Sequence, residues 1–179
     1  MTVRVTAAAD TDTDLDQLAG VAATTFPLAC PPSARPDDIA AFIAANLSRE
    51  RFAVYLSDPE RVVLAARDGE RILGYAISIR GVGDDDDVAR SVTLRPAVEL
   101  SKMHVLADRH GAGVAARLID AAISRATDSG ARCVWLGVNQ NNQRAQRFYG
   151  KHGFTTVGAR TFQLGAHLEN DFVMVRPLT

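Results

Sequence analysis

The segment that most constrains this chain runs from residue 98 to residue 138, where an apolar stretch, a glycine turn, an amphipathic stretch and a second apolar stretch follow one another. Between 114 and 128 the apolar residues Ala115, Leu118, Ile119, Ala122, Ile123 and Ala126 recur at i, i+3, i+4, i+7, i+8 and i+11. That period is helical and gathers them on one stripe able to face a core. Gly130 supplies the stop. Residues 98–106 ahead of the helix read as a long strand, and 133–138 behind it as a fully apolar one. Strand, helix and strand in that order commit the chain to an α/β architecture.

Upstream, strands adjoin with no helix between them. Residues 62–67 and 72–79 are joined by Asp68-Gly69-Glu70, a hairpin signal. A short strand at 2–8 alternates Val3 and Val5 with polar neighbours. Helices are expected at 12–26, stopping before Pro27, at 37–47, and at 49–57, the last opened by Ser48 as N-cap. Residues 27–36 hold four prolines and read as a loop, as does the charged stretch 81–90 with its acidic run at 84–87. Downstream, 142–152 is helical, with Ala145, Phe148 and Tyr149 on one face, and 155–159 and 172–176 are the closing strands. Strands that both adjoin and alternate with helices predict a mixed sheet.

A length of 179 residues, 47% of them hydrophobic, suits one domain over 1–179 with a real core and excludes a disordered chain. No apolar run approaches the ~20 residues of a membrane span. The net charge of -1 conceals a split: residues 1–99 hold 10 basic and 16 acidic side chains, residues 100–179 hold 10 and 5. A near-neutral total argues against nucleic acid or an anionic membrane as the partner. Cys30 and Cys133 are the only cysteines and lie in no metal-type cluster, so neither a disulfide framework nor a metal site is expected. With no basic-then-apolar leader at 1–6, the reading is a cytoplasmic protein.

The turn His110-Gly111-Ala112-Gly113-Val114-Ala115-Ala116 has two readings. Its amides and the helix N-terminus form a phosphate cradle, or the glycines only provide the positive φ of a tight turn. Gly111-x-Gly113-x-x-Ala116 also meets the loose dinucleotide fingerprint, which needs an acidic residue about 20 positions on, at the end of the next strand. That strand runs instead into Asn139-Gln140-Asn141, so a nicotinamide cofactor is excluded.

Val105-x4-His110-x-x-Gly113-x-Ala115 resembles the (Gln or Arg)-x-x-Gly-x-(Gly or Ala) pyrophosphate loop of the GNAT superfamily of acetyl-CoA-dependent N-acetyltransferases, with His110 where Gln or Arg is usual. Trp135-Leu136-Gly137-Val138, then Asn142-x-x-Ala145-x-x-Phe148-Tyr149-x-x-x-Gly153-Phe154, resembles the same family's strand, helix and following strand. The resemblance spans 62–154. The tail Phe162-x-x-Gly165 and Asp171-x-x-Met174, with the early block around Phe26, resembles the bacterial spermine/spermidine acetyltransferase branch. What this implies is a single-domain GNAT-like α/β fold, a mixed, mostly antiparallel central sheet flanked by helices on both faces. Acetyl-CoA is the implied cosubstrate. Its pyrophosphate would rest on His110, Gly111, Ala112, Gly113, Val114 and Ala115. Its pantetheine would run along Met103, His104 and Val105, and Asn142 and Tyr149 would stand beside it. The implied acceptor is a small-molecule primary amine, a polyamine such as spermidine or spermine. Oligomeric state stays open, with a homodimer among the options the family offers.

Acetyl transfer to an amine needs a neutral nucleophile. An alkylammonium of pKa near 10.4 lies about 3.4 units from neutral at pH 7, roughly 4.6 kcal/mol. Straight alternation puts Ala97, Glu99, Ser101, Met103 and Val105 on one strand face, which makes Glu99 the candidate base. It also stands six residues before Val105, where the resemblance implies a catalytic Glu; its other reading is a surface ion pair. His104, on the opposite face, is expected to be structural. Tyr149 resembles the family's general acid, and otherwise reads as a core ring with a wet hydroxyl. Asn142 reads equally as a helix N-cap. The run at 84–87 either attracts a cationic substrate or is a solvated loop. Acetylation of a protein N-terminus or another amine, and a non-catalytic acyl-CoA sensor, stay open beside the polyamine.

Overall fold

The computed structural model describes residues 2–179. Seven strands form one sheet: β1 (Val3–Ala7), β2 (Arg61–Asp68), β3 (Arg71–Arg80), β4 (Ala97–Val105), β5 (Cys133–Asn139), β6 (Thr155–Leu164) and β7 (His167–Pro177). Their spatial order is β1-β2-β3-β4-β5-β7-β6. Every neighbouring pair is antiparallel except β4–β5. The helices are α1 (Asp12–Ala29), α2 (Pro36–Asn46), α3 (Arg49–Ser57), α4 (Asp86–Ser91), α5 (Val114–Asp128) and α6 (Gln143–Lys151).

The apolar stripe of α5 buries Leu118, Ile119, Ala122, Ile123 and Ala126 with Leu64, Leu73, Ala76, Leu100 and Leu136 of the sheet. On the opposite face α1 and α3 supply Leu18, Ala22, Phe26, Phe52 and Tyr55 to a second core over Val63, Tyr75 and Ile77. Trp135, Val173 and Val175 carry a third, smaller core with Val88 and Val92 around α4. Each fully buried Leu or Ile contributes roughly 1.5–3 kcal/mol, so both faces of the sheet are strongly committed. Helices therefore cover both faces, as the resemblance implies. None of them among the described residues is long and apolar enough to cross a membrane.

Four local expectations are corrected. Helix α1 runs through Pro27 to Ala29: a proline in the last turn removes one donor and leaves the preceding bonds intact. The loop at 81–90 contains α4, because Asp85 accepts from the amides of Asp87 and Val88 while Val88 is buried beneath. Acids at that end suit the helix dipole. The closing strands extend to 155–164 and 167–177 as a long hairpin. Finally, the β3–β4 register slips between Ile77↔Lys102 and Ser78↔Leu100, which makes Ser101 a bulge residue. Alternation reverses there. Glu99 shares its face with Lys102 and His104, under α1, while Leu100, Met103 and Val105 face α5.

The parallel pair is short. β4 and β5 are bonded only over Ala97↔Cys133, Val98↔Val134 and Glu99↔Trp135. Beyond that β4 stays with β3 as far as Val105, and β5 follows β7 as far as Asn139. The sheet therefore opens at the carboxyl ends of its two parallel strands, which is where ligands of open α/β sheets bind.

Candidate functional site

At the end of β4 the chain makes a single turn of 3-10 helix, Ala107–Arg109, then the glycine loop, then α5. Gly111 has φ +81 and Gly113 φ +79. A Cβ at either would meet no atom within 4 Å, so the left-handed backbone, not crowding, is what requires glycine. Gly113 is the N-cap of α5 and offers no side-chain acceptor, and the first turn holds no acidic residue. The first amides of α5 are thus left for a ligand, with the dipole favouring an anion.

These amides open on a cleft of about 490 Å³ between β4, α5, α6 and α1. Met103, His104, Val105, His110, Gly111, Gly113, Val114, Ala115, Asn142 and Tyr149 all line it, together with Arg109 and Arg144. Ala112 is not in its wall; its amide turns inward to the carbonyl of Arg109 at 3.2 Å. His110 donates from Nε2 to the carbonyl of Val105 at 2.9 Å and so clasps the loop to the strand end. An anion-ready helix terminus, two cations and an apolar wall fit the pyrophosphate and pantetheine of acetyl-CoA.

Helix α6 brings the second motif to the same cleft. Asn142 Oδ1 accepts from the amide of Ala145 at 3.1 Å, so it is the N-cap, and it also stands in the cleft wall. Tyr149 lies edge-on to Phe148 and Phe154, with centroids 5.4 and 5.8 Å away. Burial pushes its hydroxyl up to about 12, which keeps it protonated. His104, wedged between Phe26 and Tyr75, is pushed down to about 4 by burial and is neutral.

Glu99 is not in the wall of this cleft. Its carboxylate lies 3.8 Å from the guanidinium of Arg160, which donates from Nε to Asp171 at 3.3 Å and stands over the ring of Trp135. Burial raises the pKa of Glu99, and Arg160 and Lys102 pull it back. Burial raises that of Asp171 too, again opposed by Arg160. Gly137 makes the arrangement feasible: a Cβ there would collide with the Arg160 side chain. A recess of about 130 Å³, which shares Ala29 with the larger cleft, is walled by Lys102, Gly137, Arg160, Glu169 and Asp171. Lys102 is held below the ordinary lysine range, chiefly by burial and against the pull of Glu99. Sequence reasoning missed Lys102, Arg160 and Asp171 as site residues. The run at 84–87 lines neither space; Asp85 caps α4 and Asp87 pairs with Arg90.

Known proteins resemble this chain in sequence and in fold. An uncharacterized N-acetyltransferase of Mycobacterium tuberculosis (strain ATCC 25618 / H37Rv) is 58% identical over 166 residues, covering 93% of this chain and 99% of its own. Among solved structures, PaiA N-acetyltransferase from Thermoplasma acidophilum in complex with coenzyme A superposes with a TM-score of 0.76 at 17% identity, covering 99% of this chain and all of that one. The ribosomal-protein-S18-alanine N-acetyltransferase of Escherichia coli gives a TM-score of 0.69 at 16% identity, covering 99% of this chain and 95% of that one. The model of the acetyltransferase (GNAT) family matches residues 25–154, from the end of α1 to the residue after α6 and its turn. With that match over most of its length, the chain belongs to the acetyltransferase (GNAT) family of acetyl-CoA-dependent acyltransferases.

Proposed function

We propose that this protein transfers the acetyl group of acetyl-CoA to the primary amine of a small molecule, by direct attack in a ternary complex. One observation carries the reading: the glycine loop, the free edge of β4 and Tyr149 share a single cleft where β4 and β5 part. Acetyl-CoA bound there supplies an activated thioester. The loop amides and Arg109 hold its phosphates, Met103, His104 and Val105 offer strand backbone to pantetheine, and a backbone N–H of β4 steadies the carbonyl oxygen.

Tyr149 holds a proton for the departing sulfur. A free thiol has a pKa near 8.5, and the burial that raises Tyr149 acts in the same direction on a thiolate held against it, so the two stay closer than their separate values suggest. Glu99 is the base. The burial that raises its pKa makes it a better proton acceptor. Since Arg160 covers it, the amine's proton reaches it through intervening water. Lys102 reports what this end of the site does to any ammonium: desolvation disfavours the charged form. An incoming amine meets the same penalty, which offsets part of the ~4.6 kcal/mol needed to neutralise it.

For the acceptor, the tail resemblance and the carboxylates Glu99, Glu169 and Asp171 favour a polyamine such as spermidine or spermine in the cytoplasm. The second reading, an amine that also bears an anionic group, is favoured by the cations Arg51, Arg61 and Lys102, which line a further recess of about 210 Å³ between α3 and β4. The test is to mix protein and acetyl-CoA with polyamines, amino acids and a peptide with a free N-terminus, and to follow free thiol. Amine-dependent thiol release supports an enzyme. Binding of coenzyme A without release from any amine would leave the non-catalytic acyl-CoA sensor.

A further inference from the structure

We propose that the recess between α3 and β4 is an anion subsite, and that the acceptor amine carries a carboxylate held there by Arg51 and Lys102. The inference rests on the acetyltransferase reading and takes the second of its two acceptors, the amine with an anionic group, over the polyamine. The recess is about 210 Å³, and its polar wall is Arg51, Arg61, Lys102, Tyr55, Asn46 and Ser101; no carboxylate lines it.

The cations are unequally occupied. Arg61 is paired with Asp58 at 3.1 Å and lies on the ring of Tyr55 at 4.7 Å. Arg51 lies over that ring at 5.3 Å, and among the described residues its buried Nε has no hydrogen-bond partner and its guanidinium no ion pair. Among the described residues the ammonium of Lys102 makes only a 3.4 Å bond to the carbonyl of Ser101, and it rests 5.7 Å from the ring of Phe42. The nearby acids are engaged elsewhere, since Glu99 and Asp171 both face Arg160. Arg51 thus has no counter-charge, and Lys102 feels Glu99 and Asp171 without an ion pair to either; partly buried cations compensated this incompletely are unfavourable until an anion joins them. A carboxylate supplies two oxygens and strong charge-assisted bonds to guanidinium and ammonium together.

The register along β4 sets the reach. Met103 stands in the cofactor cleft, while Ser101 and Lys102 stand in both the Arg160 recess and this one. At about 3.3 Å per strand residue, two to three residues separate an amine near Met103 from a carboxylate beyond Ser101 by roughly 7–10 Å. An α-amino acid reacting at its α-amine is too short. An ω-amino carboxylate with five or six carbons, or the side-chain amine of a free lysine, spans the distance.

The test compares 6-aminohexanoate, 4-aminobutyrate, glycine and a diamine matched in length to 6-aminohexanoate, by kcat/KM with saturating acetyl-CoA. Spermidine is included. The wild type is expected to prefer 6-aminohexanoate over the matched diamine at least tenfold, with Arg51→Gln and Lys102→Met each lowering that ratio about 10- to 100-fold. Because a ratio within one preparation is read, partial misfolding does not imitate the effect. Preference for the diamine or spermidine, or a carboxylate preference unchanged in both variants, overturns the proposal. Calorimetric binding of 6-aminohexanoate in the presence of coenzyme A separates the claims. If no amine is acetylated the transferase reading fails, while heat lost in both variants still supports the subsite and absent or unchanged heat overturns it.

Discussion

Arg160 and Asp171 are register partners across β6 and β7, joined Nε to Oδ2 at 3.3 Å, and the same guanidinium reaches back to within 3.8 Å of Glu99 on β4. One cation from the edge hairpin is therefore shared by two carboxylates, Asp171 buried and Glu99 partly so, beside the opening of the sheet, and it opposes the effect of burial on both. Gly137 on β5 leaves the space in which it lies.

Removing that cation should move the pH dependence in a defined direction. Arg160 lowers the pKa of both Glu99 and Asp171, against burial. In Arg160→Leu both acids titrate at higher pH, so a base that must be ionised is available only at higher pH. The acidic limb of the kcat/KM profile is expected to shift upward. A profile that falls in amplitude without shifting would separate Arg160 from Glu99.

Tyr149→Phe keeps the ring packing against Phe148 and Phe154 and removes only the hydroxyl. General acid catalysis contributes about 10²- to 10⁴-fold, so kcat is expected to fall by that range with coenzyme A affinity nearly unchanged. Stopped thiol assays and calorimetry check the two halves. Full activity in the variant would remove Tyr149 from the chemistry.

Gly113→Ala forces a Cβ into a left-handed backbone at φ +79, a strain of roughly 1–2 kcal/mol. The loop relaxes and its amides lose their aim, so coenzyme A affinity is expected to weaken about tenfold. Gly113→Asn should lose less, because asparagine tolerates that region. Equal affinity in wild type and both variants, measured by calorimetry, would contradict the cradle.

Far from the cleft, Asp14 is locked to Arg67 by bonds of 2.5 and 2.9 Å and accepts from the amide of Ala9 at 2.8 Å. The Arg67 bond holds its carboxyl below the usual 3.8, against burial. A depressed folded pKa contributes stability above the unfolded value and loses it as pH falls through the folded one. Asp14→Asn is expected to lose about 3 kcal/mol at pH 7, with the gap narrowing below pH ~4. Urea unfolding at the two pH values reads this directly.

The glycine loop, the α5 stripe and the α6 motif were legible because each is a local pattern with its own period or spacing. What was not legible was set by partners distant in sequence. The Ser101 bulge depends on how β3 pairs, and it turned Glu99 away from Met103 and Val105. Arg160 and Asp171 fall one residue outside the strands expected at 155–159 and 172–176, because each puts a charged side chain at an inward position and so breaks the apolar pattern by which a strand end is read. Helix α4 is too short, at six residues, for periodicity to register, and only the buried Val88 explains it. The charge split has also found a place. The glycine loop and α6 lie in the positive half, whereas the run at 84–87 in the negative half caps a helix away from both clefts.

The most direct measurement follows the acetyl group itself. Acetyl-CoA carrying an isotopic label in the acetyl carbons is incubated with the protein and the amine panel, and the products are weighed and fragmented by mass spectrometry. The expected result is label on the amine nitrogen of one small acceptor, dependent on the protein and nearly abolished in Tyr149→Phe. Label recovered only as acetyl-CoA or free acetate, with every amine unmodified, would contradict it.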